Sequence, residues 1–95
     1  MPRYKVAHIT NEQGIDLIII PIESRFGALS AANQSSETAA LQSRATSAGL
    51  KGVVIPVWDG GGNRMAFRAP PNCHPFFRGI NLHFVFAKIN REIFW

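Results

Sequence analysis

The chain has 95 residues, 46% of them hydrophobic and 17% charged, which excludes two independent cores and a disordered chain and leaves one globular domain. Ten Lys and Arg against six Asp and Glu give a net charge of +4 and a sequence pI near 10.0. That excess favours acidic partners, nucleic acid above all.

Residues 3 to 10, RYKVAHIT, alternate so that Tyr4, Val6 and His8 share one side and Arg3, Lys5 and Ala7 the other, which predicts a strand. NEQG at 11–14 supplies turn residues, with Gly14 able to take positive φ, and IDLIIIPI at 15–22 completes a hairpin as a second, β-branched strand. After a loop at ESRFGAL, Ser30 is placed as the N-cap of an alanine-rich, proline-free helix over 31–48. Gly49 stands where a helix C-terminus takes a left-handed residue, with Leu50 folding back on the last turn. The small face of Leu41, Ala45 and Ala48 predicts close packing on a sheet.

GVVIPVWD at 52–59 reads as a third strand and RMAFRA at 64–69 as a fourth, with GGGN closing a hairpin between them. In the last segment, residues 74–95, Leu82, Val85, Phe86, Ile89 and Ile93 match a helical face, while Ile80, Leu82, Phe84 and Phe86 match a strand. Length and the i, i+4 pair Ile89 and Ile93 favour a helix, starting after Gly79. The order is therefore ββαββα: an α+β fold, one domain over 1–95, with a four-stranded, mainly antiparallel sheet and two helices packed on one face. Proline removes a ladder donor, so Pro21 and Pro56 put the second and third strands outside, in the spatial order 2-1-4-3. GIDLIIIPI at 14–22 also resembles GLKGVVIPV at 49–57, a hint of two similar halves.

The chemistry-bearing motifs are sparse. Gly60, Gly61 and Gly62 precede NRMAFR, which fits neither GxxxxGK[ST] nor GxGxxG, so a hairpin turn is expected rather than a phosphate cradle. Cys73 beside His74 raises a thiol-dependent enzyme as an alternative, although neighbours in an extended loop point apart. His8, His74, His83 and Cys73 lack metal-ligand spacing, and the six acids are scattered, so no metal, cofactor or acid–base site is expected. The apolar run 17–22 is far short of the roughly 20 residues of a membrane span. No signal-peptide core follows Met1, and one cysteine allows no internal disulfide, so a cytoplasmic location without membrane contact is expected.

Positive charge is better organised. Arg64, Ala66 and Arg68 share one face of the fourth strand and Met65 and Phe67 the other. If Tyr4 and Val6 point the same way as Met65, then Arg3 and Lys5 join Arg64 and Arg68 on the uncovered sheet face, joined by Trp58 if the third strand turns Val54 and Trp58 outward rather than Val53, Ile55 and Val57, and Arg78 is a further candidate contact. Such a surface suits phosphate contact and base stacking on nucleic acid, DNA or RNA. It equally suits a protein partner or a homodimer, to which the aromatic tail REIFW would contribute.

Overall fold

A computed structural model describes residues 3–10, 14–61, 64–69 and 73–94, apart from the side chains of Arg3 and Phe94. In chain order, β1 (Arg3–Thr10) and β2 (Asp16–Pro21) lead through a 3-10 turn (Ser24–Ala28) to α1 (Ala31–Ser47). Then come β3 (Val53–Asp59), β4 (Met65–Phe67), α2 (His74–Arg78), α3 (Leu82–Ala87) and β5 (Arg91–Phe94).

Local signals act where they were expected. The Ser30 hydroxyl accepts from the Asn33 N–H at 3.2 Å, capping α1. At the other end Gly49 sits at φ +84°, and the Leu50 N–H donates to the Ala45 carbonyl at 3.0 Å. This is the six-to-one bond that closes a helix with a left-handed glycine, and it turns Leu50 onto the buried Leu41 and Ala45. Between β3 and β4 the Asp59 carboxylate accepts from the Gly61 N–H at 2.8 Å and the Gly60 N–H reaches the Arg64 carbonyl at 2.8 Å, so Gly60 and Gly61 stand in a turn; Gly62 and Asn63 of the expected GGGN hairpin lie outside the described residues.

The last segment departs from the single helix expected of it. Asn81 accepts from the Phe84 N–H at 2.9 Å and starts a new helix two residues after Gly79 ends α2. The chain then leaves α3 at Lys88 and adds a fifth strand. Ile89 and Ile93 therefore do not share a helix: Ile93 is buried on one side of the sheet, and Ile89 packs on the other.

The five strands lie in the order β4-β3-β2-β1-β5, with β2 parallel to β3 and every other pairing antiparallel. Both faces are covered. Ala7, Leu17, Ile19, Ile55 and Val57 pack against Cys73, Phe77 and Val85 from the α2–α3 side. Val6, Ile18, Ile20, Val54 and Ile93 pack against Leu41 and Ala45 of α1. The expectation of two helices on one face is thus corrected, and the cause is composition: Leu17, Ile18, Ile19 and Ile20 are all fully buried, two per face. At about 1.5–3 kcal/mol per buried aliphatic side chain, leaving either face wet would forfeit about 3–6 kcal/mol from β2 alone.

The prolines do not mark outer strands either; β2 and β3 occupy the interior of the sheet. The Arg68 N–H donates to the Pro56 carbonyl at 3.1 Å, so the nitrogen of Pro56 also faces β4. Lacking a proton, it returns no bond, and the β3–β4 ladder ends there. The Ile22 N–H reaches the Val57 carbonyl at 2.8 Å, which turns the Pro21 nitrogen toward β1. There the β1–β2 ladder stops at Ala7↔Ile19 while β2 stays paired with β3 out to Pro21↔Val57. The first half of β1 pairs with β5 instead, Arg3↔Phe94 through Val6↔Arg91. The resemblance of 14–22 to 49–57 carries no structural equivalence: its offset matches Ile19 to Val54, which lie on opposite faces of the sheet.

Beyond the Pro56 stop, the edge of β3 is guarded by a side chain. The Gln42 amide oxygen accepts from the Val54 N–H at 2.9 Å and its nitrogen donates to the Gly52 carbonyl at 3.1 Å, as a neighbouring strand would. Gln42→Ala is expected to cost about 1–2 kcal/mol, because the part-buried Val54 N–H loses its acceptor. Urea denaturation measures it, and an unchanged midpoint would show that water replaces the amide without loss.

Candidate binding clefts

The structure distributes the residues expected to form a cationic sheet face. Met65 and Phe67 pack on the α2–α3 side, whereas Val6 is buried on the α1 side, so β1 and β4 do not present the same alternation. Lys5 is exposed on the face of Ala7, opposite Glu92 of β5. Arg68 points to the other face, where it bonds α1. Arg64 is exposed beside the β3–β4 turn and Arg78 is exposed in the last turn of α2. The Arg3 side chain lies outside the described residues. Trp58 is buried at 8% exposure beneath the 3-10 turn, its ring 4.9 Å from that of Phe26. The described cations therefore do not gather on one sheet face: Lys5 lies on the α2–α3 side and Arg68 on the α1 side.

The thiol alternative also loses its geometry. Cys73 is 2% exposed inside the α2–α3 core. His74 turns away from it: Nε2 lies 2.9 Å from the Ala69 carbonyl, and the ring meets the Phe67 ring edge-on at 5.3 Å. Among the described residues no group of three or more His, Cys, Asp or Glu is placed to hold a metal ion, and no helix is long and apolar enough to cross a membrane.

Two concave sites stand out among the described residues instead. The first, of about 620 Å3, opens where Pro21 parts β2 from β1. Tyr4, Lys5, Pro21 and Ile22 line its strand side, and Ala40, Leu41 and Glu37 of α1 form one wall. Phe26 and the Glu23–Arg25 pair close the end, and Phe86 of α3 stands at the mouth. Phe86 is 57% exposed, an unusual setting for a phenylalanine in a helix that otherwise buries Val85. The cleft lies at the carboxyl end of the parallel pair β2–β3, the end at which α/β sheets commonly take ligands. Its two cations, Lys5 and Arg25, match its two carboxylates, Glu23 and Glu37. Glu23 accepts from Arg25 Nε at 2.6 Å, and this hydrogen bond, then its charge, hold the Arg25 guanidinium above its usual range.

The second, of about 700 Å3, runs between α1 and β3 beside the Gln42 guard. Ser35, Thr38 and Gln42 face Val53, Phe67, Arg68 and His74 across it, and among the described residues its lining holds no carboxylate. Sequence reading missed both clefts. Their walls come from elements distant in the chain, and the one signal in the sequence is Pro21, which marks a point of strand separation and not a sheet edge. Comparison with family models, curated proteins and solved structures finds no match to this chain.

Proposed function

We propose that the chain is a binding module, acting without catalysis, that takes an apolar or aromatic side chain of a protein partner in the cleft between Tyr4, Leu41 and Phe86. The observation that carries this reading is the cleft itself: about 620 Å3, walled mainly by aromatic and aliphatic residues, with charges that balance at its rim. Sites of this volume and lining bury a large part of a docked apolar group. Exposed Phe86 at the mouth supplies an anchor of the kind enriched at protein interfaces. Balanced charge at the rim favours a neutral or mixed-charge segment over a polyanion. Contact with nucleic acid is the competing reading, supported by the net charge of +4 alone.

Selection from a random peptide library at physiological salt tests it, followed by NMR titration of the enriched sequences. Expected are peptides with an apolar anchor that shift the signals of Tyr4, Leu41 and Phe86. Ala40→Trp, which fills the cleft from an exposed helix position, is expected to weaken them at least about 10-fold, since complementarity at a buried anchor accounts for 2 kcal/mol or more. If no peptide enriches, while a single-stranded oligonucleotide binds with an affinity that falls steeply with salt, the nucleic-acid reading replaces this one.

A further inference from the structure

Among the described residues, the cation of the second groove has no counter-charge. Arg68 is half-buried, with Nη1 donating to the Gln34 amide oxygen at 3.3 Å and Nη2 to the Ser35 hydroxyl. Both acceptors are neutral. The Glu23–Arg25 ion pair lies at the other cleft, and among the described residues no carboxylate lines this groove. Gln34 is itself fixed, because its amide nitrogen donates to the Phe26 and Leu29 carbonyls at 3.1 and 3.4 Å, so the guanidinium is held by a scaffold that does not neutralise it.

We propose that this groove binds an oxyanion, a phosphate or carboxylate group, through Arg68 with Ser35 as co-donor. A guanidinium carries five N–H donors in a planar fork, and the two contacts to α1 leave the rest unspent. The Ser35 oxygen accepts from Arg68, so its own O–H is free to donate to the same ligand. Removing part of a charged group from water is costly without a partner, and an oxyanion on the open edge of the fork supplies one with strong, charge-assisted bonds. The site is separate from the cleft of the proposed function: the two linings share no residue.

NMR titration with inorganic phosphate, sodium acetate and sodium chloride, at constant ionic strength, tests the proposal. The side-chain Nε–Hε signal of Arg68 and the amide signal of Ser35 are expected to shift and saturate at millimolar phosphate or acetate and to ignore chloride. Phosphate alone points to a tetrahedral oxyanion, and acetate alone to a carboxylate; either result supports the site. Arg68→Gln is expected to abolish the shifts. Ser35→Ala, on an exposed helix position where folding is not at stake, is expected to weaken binding about 5- to 10-fold. Ala40→Trp is expected to leave the titration unchanged. Shifts that grow linearly without saturation, that chloride reproduces, or that survive Arg68→Gln would overturn the proposal, and they would leave the first cleft's reading intact.

Discussion

Gly52→Ala is expected to destabilise the protein by about 3 kcal/mol or more. Gly52 holds φ at +133°, a region that costs side-chain-bearing residues strain of about 1–3 kcal/mol. A Cβ built there falls 2.6 Å from the Asp16 carbonyl oxygen and 2.9 Å from its carbonyl carbon, and backbone atoms at the start of β2 have little room to yield. The consequence is specific to the fold: the parallel β2–β3 pairing starts at Leu17↔Val53, immediately after this contact. Gly49→Ala provides the contrast. It shares a positive φ of +84° but has open space around the added methyl, so about 1 kcal/mol is expected. Urea titrations of the two variants separate steric contact from backbone conformation, and equal losses would show that the Asp16 contact relaxes.

Phe77→Ala is expected to cost about 3–5 kcal/mol. The ring is 1% exposed, stacks on Phe67 with centroids 5.2 Å apart and meets Phe76 edge-on at 5.2 Å. α2 has only five residues, too few to persist in water by itself, so its place on the sheet depends on this anchor. Phe76 in turn meets Phe84 of α3 at 6.4 Å, which links Phe77 through α2 to the helix that carries Phe86. Losing Phe77 is therefore expected to lower the melting temperature by about 4–8 °C per kcal/mol. It should also loosen peptide binding at a cleft that Phe77 does not line. A variant that melts early but retains full affinity for cleft-selected peptides would uncouple α3 from α2.

What could be read from the chain without its fold was whatever depends on neighbours in sequence. Alternation placed β1, capping chemistry placed α1, and Gly49 with Leu50 closed that helix. Those features are decided within a few residues by backbone hydrogen bonds and conformational preference. The segment 74–95 resisted for a related reason: its hydrophobic spacing satisfies more than one period, and the break depends on Asn81 capping a second helix and on β1 offering an edge to Arg91–Phe94.

The cationic face failed because it required a relation between β1 and β4 that alternation cannot supply. Two strands intervene, and burial of apolar residues on both sides of β2 and β3 brought helices to both faces. The prolines misled for the same reason, since a missing donor constrains one side of one residue and not the position of a whole strand.

Composition and local pattern alone determined that this is a basic α+β domain and located β1, β2, α1 and β3, because those features rest on short-range energetics. Strand order, the covered faces, the cleft beside Pro21 and the setting of Arg68 were decided only in the tertiary structure. Each arises from contacts between residues far apart in the chain, where burial and hydrogen-bond satisfaction of the whole molecule choose among arrangements that are locally equivalent.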